Sequence, residues 1–229
     1  MVKQTSQTLP GIFMKIWLAI LILAILPKFS LGQTKVPASD SDTLSLNRRY
    51  VSLADEIGLE RAQRVTTEFF FRFWDQQKVV ELSRNNGQLS GKVTFFLRQY
   101  RKNKKGRVYS KKFPISDATA ERIYQLVMKY GILELPTDRR ITGWVQGFHG
   151  VVYVTEHVEH SNYSFKTYWT PSAQRSLSEA GELLDFMLEL DRIDDIRNAD
   201  QDFMSGQPFN SWYGGISEAT IVTRVINAR

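Results

Sequence analysis

The fold is read most directly from residues 143–171, GWVQGFHGVVYVTEHVEHSNYSFKTYWTP. Two segments within it, Gly150–Val158 and Asn162–Trp169, alternate apolar and polar side chains. A period of two is the mark of a strand with one buried face. The short polar gap between them makes the pair an antiparallel hairpin. All three histidines and two of the five tryptophans fall in this stretch.

The chain upstream supplies more of the same sheet. In Val65–Trp74 (VTTEFFFRFW), Val65, Thr67, Phe69, Phe71 and Phe73 share one face. Thr66, Glu68, Arg72 and Trp74 take the other, with Phe70 out of pattern. Val79–Arg84 is a further strand, closed by Asn85-Asn86-Gly87, residue types that tolerate positive φ. Lys92–Tyr100 and Arg107–Phe113 are two more, joined through RKNKKG with Gly106 as turn residue.

Helical spacing appears in three places. Residues 50–64 place Ala54, Ile57 and Ala62 inward, although Gly58 weakens that helix. After Pro114, Ser116 or Asp117 caps a helix carrying Ile123, Leu126, Val127 and Tyr130, which Gly131 ends. Pro171 and Ser172 open a last long helix with Leu177, Ala180, Leu184, Met187 and Leu188 as its stripe. The order predicts an α+β fold, an antiparallel β-sheet with two or three helices packed on one face. The expected domain is 47–199, followed by a Gly/Ser/Asn-rich tail at 200–229 that ends in a strand over Thr220–Ile226.

The start of the chain predicts export. Lys15 precedes an apolar run, Ile16–Leu26, and small residues at Ser30 and Gly32 suit cleavage before Gln33. The run is far shorter than the ~20 residues that span a bilayer, so residues 1–32 are expected to be a signal peptide; an uncleaved anchor is the alternative. Either Met1 or Met14 serves as its start. Residues 33–46 are polar, carry Pro37 and are expected to form a disordered linker. The chain has no cysteine, which excludes disulfides, thiolate metal sites, a cysteine nucleophile and a lipoprotein anchor.

The 229 residues are 42% hydrophobic and 24% charged, an ordinary globular composition. Residues 1–32 hold Lys3, Lys15 and Lys28 and no acid, so subtracting three from the formal +6 leaves +3. That mild excess argues against a nucleic-acid partner. A basic run, Arg101, Lys102, Lys104, Lys105 and Arg107, with Arg98, Lys111 and Lys112 nearby, is a candidate for weak contact with an anionic surface. Its alternative role is a solvated turn that discourages edge pairing.

The chemistry-bearing residues form no complete constellation. No phosphate-cradling glycine loop and no G-x-S-x-G elbow is present. His149, His157 and His160, with Glu156 and Glu159, are weak metal candidates, because E-H-V-E-H lacks the spacing of H-E-x-x-H or its inverse. On a strand, His157 and His160 also point to opposite faces. Glu156 shares its face with Val152, Val154 and Val158, so its carboxylate needs a partner, and Lys166 is the nearest candidate on the neighbouring strand. The functional alternative sets Glu156 in a pocket lined by Trp144, Phe148 and Trp169.

The succession GW-x-x-GF-x-G-x-x-Y-x-x-E followed by YSFKTYWTP, with FFFRFW, VVEL and ILELPTD before it, resembles a group of uncharacterised secreted bacterial proteins. The matching residues are Trp144, Gly147, Phe148, Gly150, Tyr153, Glu156, Tyr163, Phe165, Tyr168, Trp169 and Pro171. The pattern often carries Asp before its second glycine, where this chain has His149. The resemblance implies export and one compact domain, and assigns no activity.

The expectation is therefore an exported, periplasmic or secreted, non-catalytic binding or structural domain with no cofactor. Its binding face would comprise Trp144, Phe148, His149, Glu156 and Trp169, and its partner would be an envelope protein or glycan. The alternative is a hydrolase with Glu156 as general acid/base, aided by a histidine-bound metal.

Overall fold

Strand β1 (Phe69–Trp74) has all six residues buried. A strand that hides both faces sits inside a sheet covered on two sides, and β1 is central here. It pairs antiparallel with β2 (Lys78–Asn85) and with β5 (Val152–Glu159). β3 (Gln88–Arg98) and β4 (Val108–Ile115) extend the sheet beyond β2, and β6 (Asn162–Trp169) extends it beyond β5. The order is β4-β3-β2-β1-β5-β6. The computed structural model describes residues 41–160, 162–216 and 220–224. The expected signal peptide, 1–32, and residues 33–40 of the expected linker lie outside them.

The expected α+β architecture holds, with an antiparallel sheet and three helices on one face. These are α2 (Asp117–Lys129), α3 (Ser178–Asp191) and α4 (Asp194–Gly206). Their apolar sides meet Phe69, Phe71, Phe73, Val80, Leu82, Val93 and Phe95. The ends of α2 match their sequence signals. Ser116 Oγ accepts from Thr119 N at 3.2 Å. Gly131 at φ 58° lets Ile132 N reach Val127 O and Gly131 N reach Met128 O, a Schellman closure. The β2–β3 turn, Asn86 at φ 50° and Gly87 at φ 75°, is the left-handed pair that suits a two-residue hairpin.

The opposite face carries a helix as well. α1 (Ser41–Glu56) begins inside the stretch expected to be linker, and residues 41–46 belong to it. It lays Tyr50, Leu53 and Ala54 on Trp74, Val79, Phe96 and Val154. Gly58 at φ 69° ends it, with Leu59 N bonded to Ala54 O and Gly58 N to Asp55 O. The glycine that weakened the expected helix over 50–64 is its stop, and the helix lies wholly before it.

Two further expectations shift. The stripe of α3 is Ala180, Leu183, Phe186 and Leu190, while Leu188 is half exposed. Pro171–Ala173 forms a separate 3-10 turn, so α3 starts only at Ser178 and its facing changes. The core also does not end at 199. α4 runs to Gly206, and Phe203, Phe209 and Trp212 are buried in the main cluster. Of the strand expected over 220–226, Ile221–Thr223 forms β8, paired with β7 (Ser211–Tyr213), and residues 225–226 lie outside the described residues. Trp212 bridges to Gln99, which ties this hairpin to the end of β3.

Candidate functional site

Glu156 lies in the middle of β5, directly across from Arg72 on β1, and Arg72 lies directly across from Glu81 on β2. Glu81 in turn faces Lys92 on β3. The register thus lines up Lys92, Glu81, Arg72 and Glu156 as a row of alternating charge across four strands. Arg72 is 1% exposed and Glu156 3%. Arg72 Nε and Nη2 donate to Glu81 Oε1 at 3.1 and 2.7 Å, and Nη1 donates to Glu156 Oε2 at 3.1 Å. Lys92 Nζ stands 3.3 Å from Glu81 Oε2, which accepts no aligned hydrogen bond.

The Glu156 carboxylate is filled on both oxygens. Oε2 also accepts from Trp74 Nε1 at 2.7 Å, and Oε1 accepts from Tyr163 Oη at 2.7 Å. Asn47 of α1 donates to Tyr163 Oη at 2.9 Å, and Glu60 O accepts from Arg72 Nη2 at 2.6 Å. Burial, reinforced by the Glu156 charge, pushes the Tyr163 hydroxyl well above its usual range and keeps it a donor. Burial opposes the Arg72 charge, but the two carboxylates outweigh it and raise its pKa. Such a network satisfies charges that would be prohibitive alone.

Lys166 is not the partner of Glu156. It sits opposite Thr155, so it points to the other face, where its Nζ donates to Leu133 O. The sequence placed Arg72 on the face of Thr66, Glu68 and Trp74, and Glu156 on the face of Val152, Val154 and Val158. It gave no register to join them, and that join is what identifies the partner.

The five expected binding residues do not converge. Trp144 packs on the face covered by α2, α3 and α4, beside Tyr168 with ring centroids 6.2 Å apart, whereas Glu156 lies on the α1-covered face. The Trp144/Phe148/Trp169 pocket around Glu156 is therefore not formed: Trp144 lies across the sheet, Phe148 is out in solvent, Trp169 sits further along β6 opposite Val152, and the carboxylate is sealed by Arg72, Trp74 and Tyr163. That is not the open acid the hydrolase reading requires. Phe148 is fully exposed and His149 is exposed beside it. His157 is half-buried on β5 opposite Phe71 and Ser164, and His160 occupies the β5–β6 turn at φ 49°. Among the described residues no group of three or more His, Asp or Glu side chains could hold a metal ion.

What residues 143–151 do form is a pinned loop. Val145 N donates to Gln174 Oε1 and Val145 O accepts from Gln174 Nε2, at 3.2 and 2.9 Å. Trp144 Nε1 donates to Trp169 O at 2.9 Å, and Val151 N to Thr170 Oγ1 at 3.0 Å. The glycine spacing follows from the backbone's path over Trp169. A Cβ at Gly147 would lie 2.5 Å from its ring, and one at Gly150 would lie 2.1 Å from Thr170 Oγ1. Only glycine admits so close an approach. Trp169 is thus the seat of the loop, and Val145 and Phe148 are its exposed apolar tip.

The LPTD phrase also acquires a role. Asp138 is buried and accepts from Trp169 N at 2.7 Å and Thr167 Oγ1 at 3.1 Å. Thr137 Oγ1 accepts from Thr167 N at 3.2 Å. Together they close the outer edge of β6 against stray pairing.

In the basic run, Lys105 pairs with Glu56 at 3.3 Å, and Arg98 donates to both oxygens of the same carboxylate. Lys111 pairs with Asp202 at 2.7 Å. Arg101, Lys102, Lys104 and Arg107 are exposed. A cleft of about 210 Å³ opens beside this run; Arg98 and Lys105 of the run line it, and none of the five expected binding residues does. No family model, curated protein or solved structure matches the chain.

Proposed function

We propose that the chain is an exported, periplasmic or secreted, domain that acts by binding, with the Val145–Gly150 loop as its contact surface and an envelope protein or glycan as its partner. The observation that carries this reading is Phe148, fully exposed at the tip of a loop anchored at both ends. A large aromatic side chain held out on a pre-organised loop loses little entropy on docking and contributes much contact area. The filled, sealed carboxylate of Glu156 supports a binding role over the hydrolase alternative.

The test is photocrosslinking from position 148 in the native host, with a photoreactive phenylalanine in place of Phe148. A control carries the same group at Met128, which is 46% exposed on α2. An adduct with one envelope protein or with cell-wall glycan at 148, absent at 128, supports the proposal. Equal or absent crosslinking at the two positions overturns it.

A further inference from the structure

The cleft between α1 and the segment Tyr213–Ile216 is separate from the Phe148 loop, and its chemistry is different. Its rim carries Arg49, Arg98 and Lys105 against one acid, Glu56, so three cations and one carboxylate leave two net positive charges. Arg98 and Glu56 are engaged with each other, at 3.0 and 2.6 Å. The Arg98 hydrogen bonds hold Glu56 below the usual carboxylate range, so it stays ionised; it is shared between Arg98 and Lys105, whose Nζ stands 3.3 Å away, and offsets one of the three cations.

Arg49 closes one side, its Nη2 donating to Ile216 O. A guanidinium has five donors in a planar fork, which leaves capacity for a carboxylate beside that single carbonyl. Lys105 is 75% exposed at its side chain and stands on the loop that also presents Arg101, Lys102 and Lys104. That loop adds a positive field at the mouth, which draws anions in. The inner wall is apolar, with Phe96 buried and Val108, Tyr213 and Ile216 partly buried.

We infer that this cleft is a binding site for a small amphipathic carboxylate. The anionic head lies between Arg49 and Lys105, and the apolar body lies on Phe96 and Val108. At about 210 Å³ the cleft is smaller than the ~300–1,000 Å³ of sites for drug-sized ligands, so the ligand is a short monocarboxylate. An inward cation–carboxylate contact beside an apolar wall selects both sign and tail.

The test is titration of the full chain with octanoate, followed by amide NMR. Octylamine supplies the same tail with opposite charge, and acetate supplies the head alone. Saturable octanoate binding is expected, with shifts centred on Arg49, Lys105, Tyr213 and Ile216, and with octylamine and acetate at least tenfold weaker. The double variant Arg49→Ala/Lys105→Ala is expected to lose at least tenfold in octanoate affinity with unchanged circular dichroism. Absence of saturable octanoate binding, shifts centred elsewhere, or octylamine binding as tightly overturns the site. These comparisons are made on the unaltered chain and hold whether or not the variant folds. A folded variant that keeps full octanoate affinity overturns it equally.

Discussion

Arg72 decides whether the α1-covered face can exist. It bridges two buried carboxylates from neighbouring strands, and its guanidinium also lies 5.1 Å from the Phe70 ring centroid and 5.6 Å from that of Trp74. Removing the cation strands two buried negative charges. Arg72→Met is expected to cost roughly 3–5 kcal/mol in urea denaturation. Adding Glu81→Leu and Glu156→Leu should restore part of that loss, because the uncompensated charge goes with them. If the triple variant is no more stable than Arg72→Met, packing around Arg72 explains the loss. His157 offers a second residue-scale outcome. Burial first, then the charge of Lys166, lowers its pKa. A histidine whose folded pKa lies below its unfolded value near ~6.5 contributes stability above that pH and loses it on acidification. Stability should therefore fall as pH drops through about 6.5 and below. His157→Gln should flatten that part of a urea-midpoint-against-pH curve; an unchanged slope would remove His157 as its source.

At the scale of elements, the 137–138 turn and strand β6 behave as one unit. Asp138 accepts the Trp169 amide and the Thr167 hydroxyl in a buried position. Asp138→Ala leaves both donors without that partner, at a cost of about 1–3 kcal/mol. Hydrogen exchange at the Trp169 amide should accelerate while that of central β1 stays slow, and equal protection in both proteins would refute the coupling. Much at this scale was legible beforehand. The period-two runs gave the strands, with Asn162–Trp169 matching β6 end to end. Ser116 and Gly131 bounded α2 as their cap chemistry requires. The start of α1 was not legible, because residues 41–46 read as polar and the apolar residues that anchor the helix come only in its second half.

For the whole molecule, the sheet is sandwiched between α1 and the α2–α3–α4 layer, and the last segment completes the main core. Phe209 and Trp212 are buried there although they lie in a stretch rich in Gly, Ser and Asn. A large aromatic removed from a core costs ~3–5 kcal/mol, and whole domains have only ~5–15 kcal/mol to lose. Deletion of residues 207–229 is therefore expected to abolish cooperative thermal unfolding by near-ultraviolet circular dichroism. A sharp transition within a few degrees of the full chain would show the segment to be dispensable.

The sequence by itself determined the fold class, the strands and their faces, because side-chain periodicity and turn chemistry are local. It also determined that Glu156 needed a partner, because a carboxylate on an apolar strand face cannot stay alone. Only the tertiary structure decided that the partner is Arg72, that Trp144 lies on the far side of the sheet from Glu156, and that Gly147 and Gly150 make room for Trp169. Those facts depend on which strands pair and in what register. Register is set by the sum of contacts across the whole sheet, which no local window of the chain contains.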